Sequence, residues 1–240
     1  MDFSDIIGQS ALVDYLKSLL ASGRIAHSYI FTGPKGVGKK TISNIFAKAL
    51  VCYEQKQEPC GICQSCRQFE SGNHPDIYRV VSDGKSIGIN LIRDMRSDIK
   101  VNPFQGDRKI YIIDRANTMT VEAQNALLKT LEEPPEYAVI ILIAENTSSL
   151  LPTVLSRCQL IKIPRLSANH ITSIVEKKTG ISQKEALVFA KLSEGLPGKA
   201  LELAGSDEYR QLREDVLDLI ENLASANFLE AMGYTRFFEE

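Results

Sequence analysis

One segment constrains this chain more than any other: Gly33-Pro34-Lys35-Gly36-Val37-Gly38-Lys39-Lys40-Thr41. It follows a short apolar run, Ser28-Tyr29-Ile30-Phe31-Thr32, that reads as a buried strand. It opens a helical stretch from Thr41 to Leu50. Strand, glycine turn and helix together are what a phosphate-binding loop needs. Glycines let successive backbone N–H groups curl round an anion, and the helix N-terminus adds positive dipole. The spacing Gly33-x4-Gly38-Lys39 fits that loop, with Gly36 and Val37 in its turn. The next position departs from the rule, which wants Ser or Thr there to hold Mg²⁺. This chain has Lys40, and shifting the register to use Thr41 would put Pro34 and Lys39 where glycines are required. The loop is built for phosphates and poorly built for Mg²⁺; a plain glycine turn before a helix is the alternative.

The 240 residues allow one large or two modest domains, and 44% hydrophobic content supports a buried core. A net charge of −2 argues against a uniformly basic nucleic-acid binder. The N-terminus is acidic where a signal peptide is basic. No stretch approaches the ~18 apolar residues of a membrane span. A soluble cytoplasmic protein is expected, with no membrane partner.

Apolar periodicity predicts helices over 10–20, 89–100, 120–133 and 152–156, and strands over 77–81, 109–114, 138–144 and 159–163. Alternation of strand and helix implies an α/β fold with a parallel sheet and ligands at the strands' carboxyl ends. Asp114 closes an apolar strand, as does the acid that reaches Mg²⁺ in nucleotide hydrolases, but Arg115 follows where a second acid would polarise water. A strand ended by an Asp turn is the alternative. Asn146 lies just past the strand 138–144. After Pro164 the strands stop, and helices over 167–178, 182–193, 198–204 and 206–224 follow, with another from Asn227.

Four of the five cysteines cluster: Cys52, Cys60, Cys63 and Cys66. Four soft ligands in one short hairpin-like segment suit a closed tetrahedral Zn²⁺ site of structural type. An iron–sulfur cluster is the rival, without the trailing Cys-Pro of the ferredoxin pattern. His74 reads as an ordinary loop residue. Lys100, Arg108 and Lys109 are either phosphate contacts or a solvated charged face.

Asn125-Ala126-Leu127-Leu128-Lys129-Thr130-Leu131-Glu132-Glu133-Pro134-Pro135 closely resembles a signature of bacterial clamp-loader subunits, the AAA+ proteins of the DNA polymerase III holoenzyme. So do His27-Ser28-Tyr29-Ile30-Phe31, the four-cysteine insertion and Ser156-Arg157-Cys158. The gamma/tau motor and the delta-prime subunit share these marks. Lys40, Arg115 and Gly198, which falls where the motor has a sensor arginine, resemble delta-prime.

The resemblance implies a P-loop AAA+ domain over 1–165 carrying a zinc module at 52–66, a helical lid over 166–205, and a truncated start of a helical collar over 206–240. The chain would then be a fragment or a naturally short form. It implies a stator without intrinsic ATPase, a degenerate nucleotide site with doubtful ATP and Mg²⁺ binding, and Arg157 as a finger for a neighbour's ATP. A local cap or ion pair is the alternative for Arg157. The implied partners are gamma/tau, delta, the sliding clamp and primed DNA, in a hetero-oligomer joined through the collar. An active motor ATPase of the same loader and a P-loop small-molecule kinase are the rival functions.

Overall fold

The computed structural model describes residues 1–54, 56–82 and 84–207, together with Tyr209, Gln211, Asp215, Val216 and Asp218. Among the described residues five parallel strands form one sheet: β1 (Ser28–Thr32), β2 (Ile77–Val80), β3 (Lys109–Ile113), β4 (Ala138–Ala144) and β5 (Gln159–Lys162), in the order β2-β3-β4-β1-β5. The register pairs Ser28 with Ile140 and Lys109 with Ala138, so β1, β3 and β4 end nearly level. All residues of β1, β3 and β4 are buried, which is why these segments read as continuous apolar runs.

Alternate side chains sort the core into two layers. Tyr29, Phe31, Ile110, Ile112 and Ile141 face α1 (Ser10–Ser22) and α2 (Lys39–Val51). Ile30, Tyr111, Ile113, Ile140 and Leu142 face α4 (Ile89–Asp98), α5 (Val121–Glu132) and α6 (Pro152–Leu155). Thr120 caps α5, accepting from Ala123 N, and Gly23 ends α1 at φ 65°. Ser10 begins α1, whose cap position is Gln9. Helix α2 starts two residues earlier than its sequence suggests. Gly38 takes the left-handed conformation at φ 100° as the cap, so Lys39 and Lys40 open the first turn.

A separate core of Leu166, Ile171, Val175, Phe189 and Ala200 joins α7 (Ala168–Thr179), α8 (Gln183–Leu192) and α9 (Pro197–Gly205), the helical lid. Of the helix expected over 206–224, Asp207, Tyr209, Gln211, Asp215, Val216 and Asp218 are helical. The one expected from Asn227 lies outside the described residues. Among the described residues no helix is long and apolar enough to cross a membrane.

One helix was not legible in the sequence: α3 (Gln64–Glu70), inside the cysteine segment. Its neighbourhood contains a buried polar chain. Ser65 donates to Val51 O at 2.6 Å and meets His74 Nε2 at 2.9 Å, while His74 Nδ1 accepts from Asp76 N at 3.1 Å. Asp76, 1% exposed, accepts from Phe104 N at 2.5 Å and Gln105 N at 2.6 Å. His74 is therefore a buried structural residue rather than an ordinary loop one. Its ring must carry a proton on Nε2 and none on Nδ1.

Lys109 likewise departs from its expected place at the surface. It is buried, with Nζ 2.9 Å from Asp98 Oδ2 and 3.1 Å from Asp98 O, so it offers neither a phosphate contact nor a solvated face. A charge at the first residue of a central strand stays ionised only if paired.

Burial lowers the His74 pKa below its usual 6.5. The unfolded chain then binds the proton more readily, so stability is full above about pH 6.5 and falls as pH drops below it. Denaturant unfolding between pH 7.5 and 5 should show this loss, and His74→Gln should remove that part of the pH dependence.

Candidate functional site

The carboxyl ends of β1, β3 and β4 open into a cleft of about 480 Å³ between the sheet and the lid. The glycine loop forms its floor. Gly36 and Gly38 hold φ of 82° and 100°, where a side chain would be strained. Lys39 is 8% exposed, and its Nζ donates to Gly33 O at 2.7 Å and Pro34 O at 2.9 Å. Burial lowers its pKa, against the raising fields of Glu145 and Asp114. Val37 and Thr41 also line the cleft.

Lys40 and Asp114 meet directly: Lys40 Nζ lies 3.1 Å from Asp114 Oδ2. The ammonium thus stands against the carboxylate that the loop's chemistry would otherwise offer to a metal. Asp114 Oδ1 accepts from Arg115 N at 2.9 Å. Arg115 sits at φ 53°, a left-handed non-glycine residue, and its guanidinium reaches Ser82 O at 3.3 Å. The structure therefore brings Gly33, Gly36, Val37, Gly38, Lys39, Lys40, Thr41 and Asp114 together. It does not bring Asn146 to the cleft wall. Asn146 Oδ1 accepts instead from Ser148 at 2.7 Å, and the residue that lines the cleft after β4 is Glu145. Asn117, whose Oδ1 accepts from Glu145 N at 3.2 Å, lines it too. Neither carried a sequence signal, because both depend on where β3 and β4 end relative to each other.

The lid meets the loop backbone to backbone. Gly198 N donates to Gly36 O at 2.8 Å, and a Cβ on Gly198 would lie 2.8 Å from Gly36 Cα. Glycine at 198 is what lets α9 come down onto the loop. Ile6, Ile7, Leu166, Ile174 and Leu201 add apolar lining beside Asp5, Gln9 and Lys178.

Arg157 is not a lining residue of this cleft. Its guanidinium lies 2.7 Å from Glu132 Oε1 and donates to Thr153 O at 3.0 Å and Ser156 Oγ at 3.2 Å. It thus caps α6 and pairs with the end of α5 while staying about one-third exposed. Cys158 lies beside it with its thiol pushed up to about 12 by burial.

The sulfurs of Cys52, Cys60, Cys63 and Cys66 all lie within 4.8 Å of one another, a group that can hold a metal ion. In a tetrahedral shell, metal–sulfur bonds near 2.3 Å set the sulfurs about 3.8 Å apart. The Cys60–Cys66 separation is 4.0 Å, so the residues fit. The segment is not hairpin-like. Cys52 ends α2, and Cys63 caps α3 by accepting from Cys66 N at 3.4 Å. Cys63 N donates to Cys60 Sγ, also at 3.4 Å, and that bond holds the Cys60 thiol down at about 6. Burial pushes Cys52 and Cys66 up.

A parallel five-stranded sheet in this order, with a glycine loop after β1, an acid after β3 and a helical lid on the loop, is the architecture of AAA+ proteins. Solved structures agree on the fold. A gamma-subunit-related protein from Thermotoga maritima superposes with TM-score 0.54 at 22% identity, over 90% of this chain and 67% of its own. The Thermotoga maritima RuvB Holliday junction branch migration motor gives 0.56 at 17%, over 90% and 64%.

A family model described as DNA polymerase III, delta subunit, matches residues 8–167. DNA polymerase III subunit delta' of Bacillus subtilis is 35% identical over 216 residues, 90% of this chain and 65% of the relative. The tau subunit of the same organism is 35% identical over 176 residues, 73% of this chain and 31% of tau. The chain thus spans less than two thirds of the length of these relatives. It belongs to the DNA polymerase III delta-subunit family, the AAA+ clamp-loader subunits of the delta-prime and gamma/tau group.

The lid contact makes a stability prediction. Gly198→Ala forces the new methyl against Gly36 backbone that cannot yield without moving the loop. The expected cost is about 1–3 kcal/mol, the usual range for overpacking. It should appear in denaturant unfolding, with faster amide exchange at Gly198 and along the glycine loop. Wild-type exchange at those amides would contradict the contact.

Proposed function

We propose that this chain is the delta-prime-type, non-hydrolysing subunit of a bacterial clamp loader. It assembles with gamma/tau and delta subunits, helps place the sliding clamp on primed DNA, and lends Arg157 to the ATP of a neighbouring subunit. Residues 1–165 form the AAA+ domain, 166–205 the lid, and 206–240 the beginning of the collar through which the hetero-oligomer is joined. The observation that supports this reading best is the Lys40–Asp114 ion pair at 3.1 Å. Hydrolysis needs a metal held between loop and strand end, together with an oriented water. Here the metal's carboxylate faces an ammonium, and the next residue is Arg115.

Arg157 suits the proposed role because it is a permanently charged planar fork, partly exposed and away from its own cleft. Its partner Glu132 is half exposed, and a pair at that exposure is weak enough to exchange for a phosphate. The expectation for Arg157→Ala, mixed with intact partner subunits, is a complex that assembles and binds ATP but hydrolyses it poorly when DNA is added. A finger contributes on the order of 10³-fold at its single site, and the other sites of the ring make the total loss smaller. Undiminished DNA-stimulated hydrolysis in the assembled mutant complex would falsify the role.

The metal of the cysteine cluster is proposed to be structural Zn²⁺, since four thiolates close the shell and leave no open position for chemistry. Tyr53, beside Cys52, donates to Gln105 Oε1 at 2.8 Å, and Ser65, beside Cys66, leads through His74 and Asp76 to the same loop. Elemental analysis should find one zinc per chain. Chelation should speed amide exchange at Phe104 and Gln105 while leaving the glycine loop protected. Absence of zinc, or an iron–sulfur absorbance, rejects the assignment.

A further inference from the structure

The residues of the cleft do not fit Mg²⁺, and they do fit an anion. Three features carry the argument. The hydroxyl that should hold the metal is replaced by Lys40, whose Nζ is 3.1 Å from Asp114, the remaining acid of the metal site. For Mg²⁺ to reach that carboxylate it would have to displace a lysine ammonium and then sit beside it, with no hydroxyl to complete its octahedral shell. The second feature is the loop itself. Gly36 and Gly38 hold the left-handed turns of an anion cradle, and Lys39 is pinned by two loop carbonyls with its ammonium at the cradle's edge. The third is shape and charge. Lys35, Lys39, Lys40, Arg115 and Lys178 line one cleft of about 480 Å³ against three carboxylates, Asp5, Asp114 and Glu145, one of which Lys40 already neutralises. The same lining includes the apolar Ile6, Ile7, Leu166, Ile174 and Leu201, which suit a flat base.

We propose that this cleft binds a nucleoside polyphosphate in its metal-free form, with the Lys40 ammonium taking the place that Mg²⁺ holds in hydrolysing relatives. Asp114 holds Lys40 at the mouth of the loop, and Lys39 and Lys40 share the phosphate charge. The base lies against Ile174 and Leu201 on the lid. The bound nucleotide is then a fixed brace between sheet and lid and is not turned over, because Lys40 and Arg115 stand where the metal's hydroxyl and the water-polarising acid would be. This deepens the reading of the chain as a non-hydrolysing subunit and rests on it.

The test is titration of the whole chain with mant-ADP and mant-ATP, once in EDTA and once in millimolar Mg²⁺, followed by fluorescence. The expected result is binding in EDTA that Mg²⁺ weakens, since the chelated nucleotide carries less charge for Lys39 and Lys40 and brings a cation towards Lys40. Lys40→Thr restores the hydroxyl and frees Asp114, and the 67% exposure of Lys40 keeps the change from threatening the fold. It should weaken binding in EDTA on the order of tenfold, the worth of one charge-assisted hydrogen bond to phosphate, and make Mg²⁺ strengthen binding instead. Lys39→Ala should weaken binding in both buffers.

No binding in EDTA up to millimolar nucleotide overturns the proposal, and so does wild-type binding that Mg²⁺ tightens. These outcomes differ from failure of the stator reading, which would show as hydrolysis by the pure chain or as an indifferent Arg157→Ala complex.

Discussion

A parallel sheet buried on both faces can place chemistry only where its strands end. In this molecule β1, β3 and β4 are covered by α1 and α2 on one side and by α4, α5 and α6 on the other, so no functional side chain can project from their middles. Their carboxyl ends are nearly level, and the turns that leave them converge. The glycine loop after β1, Asp114 after β3 and Glu145 after β4 become neighbours for that reason, although 112 positions separate Gly33 from Glu145. The lid completes the enclosure from above, and at the loop its approach is limited by the backbone contact between Gly36 and Gly198.

Within that enclosure the balance of charge decides the chemistry. A metal-dependent site keeps its acid free and its hydroxyl short. Here a long cation reaches across and neutralises the acid, and an arginine follows it in a left-handed turn. The glycine loop and the strand-end acid keep the places that the AAA+ fold gives them, while Lys40 occupies the acid. Arg157 has the reverse character, lying outside the cleft just after α6 and held by Glu132 and Thr153 at a partly exposed edge.

A second set of polar contacts lies beneath the surface and serves shape rather than chemistry. Lys48 is 2% exposed and meets Glu70 at 2.6 Å, which holds that carboxyl down at about 2. Lys109 ties β3 to the end of α4, and Asp76 holds the turn that carries Phe104. Buried charges of this kind persist only when paired, and each fixes the position of a loop that apolar packing alone would leave free. The cysteine cluster ends α2 and starts α3 in the same region, and Tyr53, Ser65 and His74 connect it to that loop.

The sequence by itself determined the α/β class, the strand that carries the glycine loop, the four-cysteine cluster and the loss of the metal's hydroxyl at Lys40. These are properties of spacing and residue type, and a continuous apolar run or a Gly-x4-Gly-Lys pattern does not depend on distant partners. Only the tertiary structure decided what Lys40 does instead, because its partner Asp114 stands 74 positions away. It also decided that Glu145 and Asn117, and not Asn146, line the cleft, since that turns on where one strand ends beside another. His74 and Lys109 looked like surface residues because a charge or an imidazole beside a turn usually is one. Their burial follows from contacts with Ser65, Asp76 and Asp98 that no local pattern encodes. The closeness of Gly36 and Gly198 is of the same kind: two ordinary glycines in sequence, joined by a hydrogen bond that exists only once the lid has folded onto the sheet.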